Sequence, residues 1–407
     1  MSLNPARDVL ERALSDGGGV LRLEPAWVAR DWLPPGRRLG LREADYDVGE
    51  RGFICERWLA STTKADNRVQ PPDEGLSYLA IAAGLRLTLK EAVEEDPAAI
   101  MGAEYAATHS GLGRLAKIYD FDARIPYHVH PPKEYAARVR RNPKDEAYFF
   151  PPGVDMGPHP ESFFGVHPWI VEQKAYEVLL PYLVAWDSDQ ILKHARAELL
   201  SPEEGFHIPS GVLHAPGTAL TIELQEDSDV LAMFQALNAG VIISKELLFK
   251  DVSPEDRQTY GERFLLEFLD WELNGDPYFY ENRHLAPRLI ESSQQPGGEE
   301  YWIYYNTTKF SGKKLVVHPG QKFVSTERGV YSIFVWAGDG RYAGHRVKAG
   351  DHQLDELLIT HDCAVQPHVV ENTGAEDLFV IKFFGPDVNP DVPTIPRWHQ
   401  PSAPVFS

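Results

Sequence analysis

The sequence predicts a mainly β protein: two jelly-roll barrels with a few helices between and around them. Three observations carry this. Short apolar runs broken by Pro and Gly fill both halves of the 407-residue chain, and such runs read as strands joined by turns. Segments with helical spacing are few, and a prominent one lies in the 245–290 region. The β-rich stretches on either side of it read as a duplicated unit. With 43% hydrophobic residues the chain has ample core material and is long for one domain.

Taken in order, residues 6–15 read as a short amphipathic helix ended by Gly17, Gly18 and Gly19. From Val20 to Leu59, GVLRLEPAWVARDWLPP and GFICERWLAS have the look of strands and turns. Residues 87–102 predict a helix with Thr88 as N-cap and Gly102 near its end. Strand signals resume in LAKIYDFDARIPYHVHPP and KDEAYFFPP. Residues 171–199 have helical spacing, interrupted at Pro181 and around Asp187 to Asp189. Strands return over 205–236, and 254–272 predict a helix started by Ser253 and Pro254. The polar SSQQPGGEE (292–300) reads as a linker. The predicted organisation is a first barrel within 1–245, a helical connection and linker over 246–300, a second barrel over 301–390, and a Pro-rich tail, 391–407.

The charge balance narrows the partners. Sixty acidic residues against forty basic ones give a net charge of −20, which repels nucleic acid and anionic lipid. The densest basic run, Arg138, Arg140 and Arg141, reads as a solvated face. Two cysteines, Cys55 and Cys363, make no disulfide framework, so a reducing cytoplasm is the expectation. Charges scattered through MSLNPARDVLERAL argue against a signal peptide, and no apolar stretch is long enough to span a bilayer. The expected partner is a small molecule, with no nucleic acid and no membrane; oligomeric state is not read from the sequence.

The chemistry concentrates in two motifs. In DARIPYHVHPPKE, side-chain alternation puts His128 and His130 on one face of a strand. Paired imidazoles suit zinc, iron, manganese, cobalt or nickel. Downstream, IPSGVLH makes a tight turn and offers His214 at a strand start. An HxH followed by PxGxxH in β context is the paired signature of a cupin, a small jelly-roll barrel. The fourth ligand has two candidates. Glu134 has the usual HxHxxxE spacing, but Pro131 and Pro132 interrupt its strand. Glu146 lies in the strand-like KDEAYFF and is preferred, since a strand holds a ligand more firmly than a loop. His207, His159 and His167 read as structural or loop residues.

These residues resemble type I phosphomannose isomerases over roughly 25–235. ERWLASTTKADNRV is similar to the family's segment around Glu-x-Trp, and LRLTLKEAVEEDPAAIMG to its Asp-Pro helix. DFDARIPYHVHPPKEYA is similar to its run ending in Gln-x-His-Pro-x-x-Glu-Tyr-Ala. KDEAYFF, IPSGVLHAPG and IELQEDSD are similar to its Lys-x-Glu strand, its histidine turn and its Ser-Asp strand. The resemblance implies one divalent metal, zinc first, on His128 (where the family has Gln), His130, Glu146 and His214. It implies catalytic roles for Lys144, Glu223 and Asp229. Four residues after Asp229 the family has an arginine implicated in catalysis; here that residue is Met233.

The implied reaction is aldose–ketose isomerisation of a sugar or sugar phosphate. A divalent metal polarises the carbonyl, and a base, Glu223 or Lys144, moves the proton between adjacent carbons. A phosphate needs a cationic clamp, for which Arg37, Arg38 and Arg124 are the sequence candidates. Two other readings keep the same site: another metal-dependent cupin enzyme such as an iron dioxygenase, or a non-catalytic sugar-binding cupin. In the second half, His368 and Asn372 have the late-motif spacing, but Ser325 and Glu327 stand where an HxH belongs. That half is expected to be metal-free.

Overall fold

A computed structural model describes residues 5–81 and 85–398, and it is mainly β with two paired-sheet units. In the first unit, a seven-stranded sheet runs His284–Leu285, Gly205–Ile208, Glu146–Phe149, Thr221–Glu226, Arg114–Tyr119, Phe53–Leu59 and Ala26–Arg30. Its five-stranded partner runs Ala232–Met233, His128–Val129, His214–Ala215, Glu161–Val166 and Ala195–Leu199. The second unit repeats the plan. An eight-stranded sheet is ordered Arg288–Leu289, Gly298–Tyr304, Ser311–Val317, Leu378–Phe384, Tyr331–Ala337, Glu356–Ile359, Val20–Glu24 and Tyr78–Leu79. It is paired with a four-stranded sheet: Lys322–Ser325, His368–Asn372, Asp339–Tyr342 and His345–Lys348. This is the cupin architecture, present twice.

Strand parity explains how the units join. On Thr221–Glu226, Glu223 and Gln225 point to one face while Ile222 and Leu224 point to the other. On Leu378–Phe384, Phe379, Ile381 and Phe383 share one face and Lys382 lies on the other. Ile222, Leu224, Phe379, Ile381 and Phe383 all fall in one buried cluster, so the large sheets pack apolar face to apolar face. Phe149 stacks on Phe379 with ring centroids 6.5 Å apart, and the Tyr304 hydroxyl donates to the Ile222 carbonyl at 2.9 Å. Charged residues are thereby left to the barrel interiors.

Several predicted elements differ from the structure. Val20–Glu24 lies in the second unit, not the first: Val20 is registered with Ile359 and Arg22 with Leu357. The pairing covers an edge of the second sheet that is otherwise open. The helical region ends earlier than its spacing suggests. Helical turns extend from Pro168–Glu172 to Gln190–His194, and Ala195–Leu199 is a strand paired with Glu161–Val166. The predicted linker is partly structure, since strand Gly298–Tyr304 begins inside it. The tail is described to 398 and carries no helix or strand; 399–407 lie outside the described residues. No helix among the described residues is long and apolar enough to cross a membrane, and both cysteines are free.

The helix expected over 87–102 is split into Leu89–Glu95 and Pro97–Met101. Thr88 and Glu91 form a reciprocal capping box, and Asp96 caps the second piece through the Ala99 amide. Replacing Thr88 with alanine is expected to cost about 1 kcal/mol of stability, read as a lower denaturation midpoint with unchanged slope.

Candidate metal centre

Two strands and a turn bring the histidines together. His128 opens strand His128–Val129 and faces His214 across the ladder. His130, two residues on, points to the same side. The turn before His214 is tied to this strand: the Gly211 amide donates to the His130 carbonyl at 2.8 Å. Gly211 has φ +86°, where a side chain is strained, which accounts for glycine in the PxGxxH turn. Ring centroids are 4.1 Å apart for His128 and His214, and 5.0 Å for each other pair. One nitrogen from each ring lies within 4.8 Å of the others, and all three side chains are buried.

The hydrogen bonds set the rings for ligation. Each Nδ1 is matched to a backbone carbonyl: His128 to Pro126 at 2.7 Å, His130 to Val230 at 2.7 Å and His214 to Val212 at 2.9 Å. Assigning the ring proton to Nδ1 leaves the Nε2 lone pairs free as ligands. Burial and Lys144 push His130 down to about 3, and burial with the neighbouring imidazoles keeps His128 far below its ordinary value, so both rings are neutral. Glu146, at the start of Glu146–Phe149, places Oε2 2.9 Å from His130 Nε2 and Oε1 3.0 Å from His214 Nε2. His214 Nε2 is buried with no hydrogen-bond partner. A lone pair facing a carboxylate oxygen is repulsive unless a cation lies between them. The donor set therefore fits a divalent ion, which also suits the nitrogen and oxygen chemistry of zinc.

Around these groups the pocket is charged on one side and apolar on the other. Lys144 and Tyr148 both donate to Glu146. Lys144 Nζ is also 3.0 Å from His130 Nε2 and 3.3 Å from Glu223. Burial alone lowers the Lys144 ammonium, but Glu146 and Glu223 outweigh it and hold the pKa above the ordinary value. Glu223 lies 3.3 Å from Lys117 as well, and burial with the charge of Glu146 raises its carboxyl. Asp229 is clamped by Arg30 at 3.3 Å and accepts the Asp66 amide at 3.0 Å. Arg30 also binds Glu56 at 2.7 Å. Four carboxylates (Glu56, Glu146, Glu223, Asp229) against three fixed cations (Arg30, Lys117, Lys144) leave one negative charge in excess. Trp32, Ile125, Leu231 and Met233 supply apolar wall, and Met233 is registered opposite His128.

The structure thus gathers His128, His130, His214, Glu146, Lys144, Glu223 and Asp229 around one pocket. Glu134 is elsewhere, exposed on the short helix Lys133–Ala136. If Glu146 is the oxygen ligand, Glu146→Gln weakens metal affinity at least about tenfold more than Glu134→Gln in a chelator competition; the reverse order overturns that choice. The arginines proposed from sequence do not line the pocket. Arg37 pairs with Glu43, Arg38 with Asp120, and Arg124 with Glu161. Sequence reasoning missed Arg30, Glu56 and Lys117. Their signal was a charge at an inward position of an apolar strand, as Lys117 stands in RLAKIY.

Fold and donor set together define a double-barrel cupin with a metal-type centre in its first barrel. No family model and no curated protein sequence matches the chain. Solved structures do. Mannose 6-phosphate isomerase from Bacillus subtilis superposes with TM-score 0.61 at 16% identity, covering 90% of this chain and 99% of that one. A putative mannosephosphate isomerase from Archaeoglobus fulgidus gives TM-score 0.58 at 15% identity, covering 90% and 97%. A zinc-bound mannose 6-phosphate isomerase gives 0.59 at 13% identity, covering 90% and 100%. The chain has the fold of the phosphomannose isomerases.

Proposed function

We propose that the protein is a metal-dependent aldose–ketose isomerase that acts on a sugar without a phosphate. The observation that carries the first part is the convergence of three buried imidazoles and Glu146 beside Lys144 and Glu223. His128, His130, Glu146 and His214 would hold the ion. When bound, a divalent ion supplies Lewis acidity toward neighbouring carbonyl and hydroxyl oxygens. The chain's own residues do the rest. Glu223, its basicity raised by burial, takes the proton from one sugar carbon and returns it to the next. Lys144, kept protonated by two carboxylates, donates toward the oxygen that gains negative charge. Asp229, with Glu56, holds Arg30 in the pocket wall. Similarity to a zinc-bound isomerase supports zinc as the ion.

The test is direct. Protein reconstituted with zinc or manganese is incubated with free and phosphorylated aldoses and ketoses, and interconversion is followed by chromatography. Turnover that is lost on chelation and regained on metal addition is expected. No interconversion of any sugar by metal-loaded protein overturns the reading; oxygen consumption by the iron form would point to oxygenation instead.

The second part rests on charge pairing. Every cation lining the pocket is already held: Arg30 by Glu56 and Asp229, Lys117 and Lys144 by Glu223 and Glu146. The groove adjoining the pocket past Trp32 and Leu231 has a volume of about 850 Å³, and there too Arg68 meets Asp31 and Lys250 meets Asp66. Inside the pocket a phosphate finds no unpaired guanidinium or ammonium, and Met233 cannot donate to one. The expected result is a kcat/KM for the unphosphorylated sugar on the order of a hundredfold above that for its 6-phosphate. Equal or better use of the phosphate refutes this part alone.

A further inference from the structure

The pairing registers align the two barrels residue by residue. Glu223 faces Lys117 and Tyr148, as Lys382 faces Lys313 and Ile333. Lys117 in turn faces Trp58, as Lys313 faces Trp302. On the small sheets His128 faces His214, as Ser325 faces His368. Lys382 therefore stands at the place of Glu223, Ser325 at that of His128, and Glu327, two residues on, at that of His130. The Lys382 ammonium, fully buried, donates to Ser325 Oγ at 2.8 Å, to Glu327 Oε1 at 2.8 Å and to Glu300. The other oxygen of Glu327 accepts from Lys313 at 2.6 Å. His368 is engaged by the Tyr331 hydroxyl at 2.8 Å.

We propose that the Lys382 ammonium is the resident cation of the second barrel, held covalently at the place that the metal takes in the first. The charge balance carries this. Two buried carboxylates, Glu300 and Glu327, face two buried ammonium groups, Lys313 and Lys382, and the cluster is neutral. A divalent ion added there brings two uncompensated charges into a low-dielectric core and is excluded. In the first barrel the corresponding pocket has a negative excess, and a lysine does not occupy the position of Glu223. The proposal draws on the metal reading of the first barrel only for comparison, and its test does not depend on isomerase activity.

The test uses the full-length chain. Lys382→Met keeps the apolar stem without the charge and is expected to lower Tm on the order of 10 °C, whereas Lys382→Arg keeps most of the stability. Lys382→Ala opens space for a small cation. It is expected to regain part of its lost Tm with methylammonium chloride but not with sodium chloride at equal ionic strength. After zinc loading and dialysis, the wild-type chain is expected to retain no more than one zinc. A Lys382→Met protein that melts with the wild type, equal effects of the two salts on Lys382→Ala, or two zinc ions retained per wild-type chain overturns the proposal. If Lys382→Met and Lys382→Ala do not fold, Lys382→Arg and the zinc count decide: a folded arginine variant and at most one zinc support it, and an unfolded arginine variant or a second zinc refutes it.

Discussion

Replacing His214 with alanine is expected to remove tightly bound metal and to lower sugar turnover on the order of a thousandfold. His214 is the member whose ligand atom is least engaged: it is buried, its Nδ1 is matched to Val212, and its Nε2 faces Glu146 without a hydrogen bond. Alanine there leaves His128, His130 and Glu146 with a gap on one side, and Glu146 loses its counter-charge from the ion. The Lewis acidity lost with the metal is worth several kcal/mol in the transition state, and about 1.4 kcal/mol is tenfold in rate. The fold is expected to persist, because the turn that carries His214 is held by backbone bonds from Gly211 to His130 and from Asp270 to Gly211. Elemental analysis and kcat/KM on metal-reconstituted protein check the two effects together. Stoichiometric metal with turnover within tenfold of the wild type sinks the assignment of the centre.

Much of this centre was legible in the sequence because its motifs are local. Strand parity puts His128 and His130 on one side, and a proline–glycine turn delivers His214. Glu146 was legible as a strand residue, and Pro131–Pro132 argued correctly against Glu134 sharing the histidines' strand. What the sequence hid were contacts between remote segments. Arg30, Glu56 and Lys117 sit on three strands that become neighbours only through sheet order, so no spacing announces them. Val20–Glu24 reads like any other strand, and its place beside Glu356–Ile359 depends on an edge at the far end of the chain. Ala195–Leu199 continued a helical pattern on paper. In the structure it pairs with Glu161–Val166, so sheet pairing overrides local spacing there.

The same register logic explains why duplicated folds carry different chemistry. Glu56 and Lys117 have counterparts in Glu300 and Lys313, so the buried Glu–Lys framework is common to both barrels. The differences lie at the ligand positions, at Lys144, whose place Gly329 takes, and at Glu223. With Lys382 in that place the second barrel lacks both a negative excess and a carboxylate at that position. Glu223 is the base of the proposed reaction, and the second barrel has no carboxylate at its place.

Glu223→Gln is accordingly expected to lower kcat by about two to four orders of magnitude while leaving metal content unchanged. Glutamine is nearly isosteric with glutamate and keeps an oxygen near Lys117 and Lys144, but an amide cannot accept a proton from carbon at neutral pH. Metal retention follows from the geometry: Glu223 is an acidic neighbour of Lys144, whereas the contacts to His130 and His214 belong to Glu146. Removing the Glu223 charge also relieves its repulsion of Glu146, so ligation loses little. Two readouts separate a proton-transfer role from a packing role. In deuterated water the wild type is expected to exchange a carbon-bound sugar hydrogen with solvent, and the glutamine variant is not. Glu223→Asp, which keeps a carboxylate but withdraws it by one methylene, is expected to fall between the two. A glutamine variant that turns over sugar within tenfold of the wild type, or that still exchanges the carbon-bound hydrogen, moves the base elsewhere and leaves Glu223 as a counter-charge for its two lysines.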